Sequence, residues 1–221
     1  MNELLLAETQ KDLIELTING WYAKQYVKYE KTYWPDIINW VEEDFKGKQG
    51  LKCLDIGCGY GTLLVYCQKL LDSKSYCIND SIVFLDKKVI AKYKITAATK
   101  NIELDDFPFE EKFEIVLLTA VMEHFCFYPV PTFKKIRDHL ANEGTFYLSV
   151  PDSSSKEWKK LNAYFKSIDE MPLPKQELYI DGGHHYHYSK EELERIMDES
   201  GLEIKRMTNP YGIWNLTLKA K

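Results

Sequence analysis

The stretch Leu51–Leu63, Leu-Lys-Cys-Leu-Asp-Ile-Gly-Cys-Gly-Tyr-Gly-Thr-Leu, constrains the fold of this chain more than any other. Leu51, Cys53, Leu54 and Ile56 make an apolar run too short for a helix and bounded by glycines, which predicts a buried strand of a parallel sheet. Gly57, Gly59 and Gly61 then predict a tight turn, and Thr62–Leu71 resumes with helical spacing. Strand, glycine turn and helix start form a cradle: backbone without Cβ atoms admits a ligand closely, and the first turn of a helix presents unpaired N–H groups. The spacing is Gly-x-Gly-x-Gly, not the Gly-x-Gly-x-x-Gly of dinucleotide folds. Asp55 puts a carboxylate beside the turn, a group better suited to a cationic or amine-bearing ligand than to a pyrophosphate.

Composition sets the outer bounds. A chain of 221 residues, 45% hydrophobic and 29% charged, suits one globular domain over 1–221 with a full core. Its net charge of −5 supplies no general attraction for nucleic acid or anionic membranes, so neither is expected as a partner. No apolar run approaches membrane-spanning length, and the acidic opening Met-Asn-Glu-Leu-Leu-Leu-Ala-Glu is unlike a signal peptide. The five cysteines (Cys53, Cys58, Cys67, Cys77, Cys126) lack metal-type pairing and read as reduced, packed residues of a cytoplasmic protein.

Asp-Ile-Gly-Cys-Gly-Tyr-Gly resembles motif I of class I S-adenosylmethionine-dependent methyltransferases. The resemblance covers about residues 50–151 and continues more loosely from 184 to the end. It implies an α/β, Rossmann-like three-layer sandwich: a mostly parallel seven-stranded sheet with an antiparallel final strand. The implied cofactor is S-adenosyl-L-methionine, held by Asp55, Gly57, Cys58, Gly59 and Gly61. A second strand, Ser75–Ile78, ends at Asn79-Asp80, with Ser81 able to cap a helix over Ile82–Tyr93. The resemblance places the ribose contact here, on Asn79 in the gapless register or on Asp80 if the turn shifts by one, with Ser81 beside them. A third strand within Ile95–Thr99 leads to Glu103 and Leu104, where the family commonly contacts adenine. The buried strand Phe113–Thr119 ends at Thr119, a further cofactor-side residue, and the turn after it closes in Glu123-His124. Relatives that bind a divalent metal at this point use Glu-x-x-Glu-His. Ala120 stands in place of their first Glu, and no metal is expected.

Residues 1–46 read as a helical lid. Tyr22, Tyr26, Tyr29 and Tyr33 recur at helical spacing, which predicts one shared face, and Tyr22 and Tyr26 are candidate acceptor contacts. Phe133–Leu140 predicts a helix and Thr145–Val150 a strand. The segment 152–188 departs from the family pattern and reads as an insertion lining the acceptor pocket. It ends in Asp-Gly-Gly-His-His-Tyr-His-Tyr, where His184, Tyr186 and His187 are candidate acceptor contacts. Ser189 and Glu192 predict a capping box on a helix over Lys190–Ser200, followed by two closing strands, Leu202–Met207 and Ile213–Leu218.

The implied reaction is in-line attack of an acceptor lone pair on the sulfonium methyl, for which the protein supplies alignment and a dry site. A hydroxyl acceptor of high pKa also needs a base, and His124 and His185 are the candidates. The acidic balance and the Tyr/His-rich walls favour a small polar acceptor, with a sugar-derived hydroxyl first. A small amine, and a cofactor-binding protein without turnover, stay open, as does the oligomeric state.

Overall fold

The computed structural model describes residues 2–17, 20–80, 84–158, 163–175, 178 and 183–221. Seven strands form one sheet: β1 (Lys52–Ile56), β2 (Lys74–Asn79), β3 (Thr96–Thr99), β4 (Phe113–Thr119), β5 (Leu140–Pro151), β6 (Leu202–Thr208) and β7 (Ile213–Ala220). Their spatial order is β3-β2-β1-β4-β5-β7-β6. The pairings among β3, β2, β1, β4 and β5 are parallel, and β7 runs antiparallel to both β5 and β6. This is the sheet that the motif I resemblance implied.

Alternation along the central strands builds two cores. Leu54, Ile56, Val116 and Leu118 face one side, with α6 (Val130–Arg137), α7 (Lys190–Glu199) and the packed residues Phe165, Ile168 and Met171. Cys53, Ile115, Leu117 and Tyr147 face the other, against α1 (Glu3–Leu16), α3 (Pro35–Asp44), α4 (Thr62–Leu71) and α5 (Lys87–Tyr93). The period of two thus gives a three-layer sandwich in which both sheet faces are covered. The five thiols are free, and four of them are buried.

Three local expectations change. The helix after β2 starts at Lys87 rather than Ile82, because the Asp86 side chain accepts from the Lys88 N–H and caps it there; Ser81, the expected cap, lies outside the described residues. The strand expected over Thr145–Val150 runs from Leu140, with a register shift against β4 between Phe113 and Ile115. The four N-terminal tyrosines do not share a face. One turn of π-helix, Tyr22–Tyr26, precedes α2 (Val27–Tyr33) and resets the helical phase. Tyr22 is fully buried and Tyr26 points inward, whereas Tyr29 is exposed and stacks on Tyr33. The predicted capping box at Ser189 and Glu192 is present, and α7 ends before Gly201.

Candidate functional site

From β1 the chain steps outward to β2 and β3, then returns across to β4 on the other side of β1. The carboxyl ends of β1 and β4 therefore flank the switch point of the sheet, where open α/β folds place ligands. Asp55 lies near one end and Thr119 at the other; both line a cavity with Tyr26, Glu30, Trp34, Gly57, Cys58, Thr62 and Leu63. Gly57 has φ +71° and Gly59 φ +54°. A Cβ on Gly57 would stand 2.4 Å from Val121 Cγ2, and one on Gly59 would meet the Tyr26 hydroxyl at 3.4 Å. Val121 reaches the turn because Ala120 adopts a left-handed φ of +53°, a strained backbone state for a residue with a Cβ.

Asp55 is 2% exposed, and its Oδ1 has no hydrogen-bond partner among the described residues. Burial, and then the neighbouring Cys58 thiol, push its pKa well above the carboxylate range. An orphaned carboxylate at the end of a strand is costly, and an ammonium group placed there would relieve it. S-adenosylmethionine carries such a group on its amino-acid half, so residues of this kind fit it.

The other expected contacts separate into engaged and available groups. Asn79 is buried, with its Oδ1 accepting from the Cys58 N–H at 3.0 Å and its Nδ2 against Cys58 Sγ at 3.3 Å, so it braces the glycine turn. Asp80 next to it is exposed. Glu103 is not a surface acid: its two oxygens accept from the N–H groups of Cys126 (3.0 Å) and Phe127 (2.9 Å), tying down the loop after β4. Burial raises its pKa to about 7 against the pull of those bonds. Leu104 is half-buried in the turn that follows.

The N-terminal helices cover this end of the sheet. Tyr60, inside the glycine turn, contacts Trp21, Tyr22, Tyr26 and Phe84 at ring-centroid distances between 4.6 and 6.5 Å. Tyr22 is not placed as an acceptor contact; its hydroxyl bonds Thr62 Oγ1 at 2.8 Å beneath the aromatic layer. Tyr26 is better placed. It lines the cavity with Glu30 and Asp55, and burial, then the charges of Glu30, Asp55 and Glu123, raise its pKa. Under this cover the cavity has room for roughly one water.

A second group of side chains lies past β4. Met122–His124 forms a single 3-10 turn, and the Glu123 carbonyl accepts from the N–H groups of His185 (2.6 Å) and Tyr186 (3.2 Å). That anchor brings the distant histidines to the turn. His124 Nδ1 donates to the Gly183 carbonyl at 2.8 Å, which leaves Nε2 with its lone pair. The ring of His184 stands edge-on to His124 at 5.1 Å and bonds His187 at 2.6 Å, Nδ1 to Nε2. His185 contacts Cys126 Sγ through Nδ1 at 3.5 Å. Desolvation lowers the pKa of His124, His184 (to about 4) and His187, with neighbouring imidazoles adding to it, so these rings are neutral at pH 7. Tyr186 does not join them. It packs against Tyr188 at 4.9 Å and donates its hydroxyl to Glu192, so it belongs to the core.

Two residues that the sequence did not single out, Glu30 and Trp158, now stand out, and Glu123 gains a burial that its place in the Glu-His turn did not show. Glu30 is fully buried, accepts from Gln10 Nε2 (2.8 Å) and Thr62 Oγ1 (2.5 Å), and is pushed up to about 7 by burial. Its signal was an acid set among Tyr26, Tyr33 and Trp34. Glu123 is buried, and its pKa rises to about 8 for the same reason. Trp158 stacks on His184 at 5.5 Å and meets Tyr33 at 6.1 Å; nothing local in the sequence marked it.

A doubly wound sheet with a glycine cradle and an orphaned acid at its switch point defines a protein that takes a nucleotide-bearing, amine-bearing cofactor. The chain belongs to the methyltransferase-domain family, which matches residues 26–206, and is a class I S-adenosylmethionine-dependent methyltransferase. A solved S-adenosylmethionine-dependent methyltransferase from Clostridium acetobutylicum shares the fold at TM-score 0.64 and 16% identity, over 90% of this chain and 98% of that one. Magnesium protoporphyrin IX methyltransferase from Synechocystis, solved with S-adenosylhomocysteine, aligns at TM-score 0.58 and 16% identity, over 93% and 89%. A histidine protein methyltransferase 1 homolog from Dictyostelium discoideum is 29% identical over 127 residues, which is 52% of this chain and 39% of that protein. The chain thus spans about two fifths of that relative's length. Among the described residues no helix is long and apolar enough to cross a membrane.

Proposed function

We propose that this enzyme methylates a hydroxyl of a small polar metabolite, with a sugar-derived hydroxyl as the first candidate. The observation that carries the reading is the imidazole cluster beside the Glu-His turn, which stands next to the switch point. There, neutral rings oriented by backbone can accept a hydroxyl proton. The cofactor supplies a methyl group already activated by positive charge. In this reading Asp55 pairs with its amine, the turn Gly57–Gly61 meets it with bare backbone, and Asn79 or Asp80 serves its ribose. Residues 1–46 act as a lid: Trp21, Tyr22 and Tyr26 lie over the glycine turn and must shift to admit a ligand larger than water. The insertion 152–188 then supplies the acceptor wall, where Trp158 and Tyr33 offer flat faces to the C–H side of a sugar ring. His124 has the base geometry, since the Gly183 carbonyl fixes its tautomer and leaves Nε2 free; His185 is the other candidate.

A second reading has one observation in its favour. The Dictyostelium relative is named for methylation of protein histidine, which makes an imidazole nitrogen of a peptide a competing acceptor. An acceptor screen that measures S-adenosylhomocysteine release from sugars, small amines and histidine-containing peptides separates the two. The hydroxyl reading expects turnover on a sugar-type acceptor, and a loss on the order of a hundredfold in His124→Gln or His185→Gln with cofactor affinity unchanged. Methylation confined to peptides would refute it.

A further inference from the structure

The turn after β4 carries a feature that methyl transfer does not require. Donor atoms of Glu123, His124 and His184 all lie within 4.8 Å of one another. Glu123 is 2% exposed, and its Oε2 has no hydrogen-bond partner among the described residues. A buried carboxylate oxygen left bare beside two imidazoles is unfavourable unless something positive joins them.

We infer that Glu123, His124 and His184 form a seat for one first-row transition-metal dication of the zinc type. Two imidazoles and one carboxylate are the donor set of open, catalytic sites, and the nitrogen majority favours zinc or cobalt over magnesium. The surroundings match what such ligands need. The ring nitrogen of His124 opposite its lone pair donates to the Gly183 carbonyl, and the ring of His184 is held by His187. A partner on the far nitrogen is the usual device that fixes a metal-binding imidazole. Both anchors come from the segment pinned to the Glu123 carbonyl, so the fold presets the group. Ligands about 2.1 Å from an ion stand roughly 3.4 Å apart in a tetrahedron, so the donors close by no more than about 1.4 Å. Three protein ligands leave a fourth position open.

The sequence spoke against a metal because Ala120 removes one acid of the expected pattern. The structure brings an imidazole to that turn from a distant segment, His184. For catalysis the consequence rests on the hydroxyl reading: the ion would stabilise negative charge developing on the acceptor oxygen. With His124 Nε2 holding the ion, His185 would be the remaining candidate for the base.

The test uses the whole chain, stripped with a chelator and titrated with Zn2+, Co2+ and Mg2+ without cofactor or acceptor. Metal content and the Co2+ absorption spectrum are read together. One equivalent of Zn2+ or Co2+ should bind, with affinity falling about a hundredfold in Glu123→Gln and in His184→Gln, and with no competition from Mg2+. Thermal melts check that each variant is folded, and the half-buried His184 carries the result should Glu123→Gln fail to fold. Binding that survives both substitutions but is lost in Cys126→Ser would assign the ion to the His185–Cys126 pair and overturn the proposal. So would the absence of stoichiometric binding. Running the acceptor screen with chelator and with added Zn2+ keeps the two readings apart, because metal uptake is measured with no acceptor present.

Discussion

The two halves of the cleft are built from different kinds of sequence. The half around Asp55 and the glycine turn comes from consecutive residues, and its shape is a backbone property: positive φ at Gly57 and Gly59, and a strand end followed by a helix start. The half around Glu123 and His124 comes from side chains whose partners lie 59 positions away, at Gly183, and it is held by tertiary hydrogen bonds. In the proposed reading the first half seats the cofactor and the second meets the acceptor.

Substitutions that strike one half and spare the other measure how separate they are. The largest effect should come from Gly59→Val. It places a branched side chain at φ +54° and against the Tyr26 hydroxyl, and should abolish S-adenosylhomocysteine binding by calorimetry while circular dichroism reports a folded protein. Retained affinity would remove this turn from the site.

A smaller effect joins the lid to the turn through Glu30. Its folded pKa stands at about 7 against an ordinary 4.5. The folded state therefore holds this proton where the unfolded chain has released it, and raising pH from 5 to 8 favours unfolding. Glu30→Gln keeps the shape of the protonated acid. It should flatten the decline in stability across that window by an amount on the order of 2 kcal/mol. Denaturant melts at pH 5 and pH 8 read it, and parallel declines in both proteins would show that Glu30 is not the group responsible.

Much of the first half was legible. Asp55 and the three glycines are one short string whose chemistry follows from spacing, and the apolar runs marked strands whose sheet the motif I resemblance implied. Legibility ended where conformation is set by distant contacts. The π turn at Tyr22–Tyr26 rotated Tyr29 away from its expected face, which four-three-four spacing could not show. Glu103 read as a cofactor contact by position, yet its two oxygens are held by the loop at Cys126 and Phe127. Tyr186 and His187 are neighbours in sequence. One became core through Glu192, and the other joined the histidines through His184. Glu30 and Trp158 were missed because a buried acid and a bridging indole are defined by what surrounds them.

In the proposed reading, the acid near the end of β1 is kept for its ligand at the expense of the fold. Asp55→Asn tests it in one experiment that reads both quantities, thermal stability without ligand and calorimetric affinity for S-adenosylhomocysteine. The carboxylate is buried and has an oxygen without a partner, so the neutral isostere should leave the melting temperature unchanged or raise it. Affinity should fall at least about tenfold, the scale of one lost charge-assisted contact. A variant that melts lower yet binds as tightly as the parent would make Asp55 a structural residue and contradict the account.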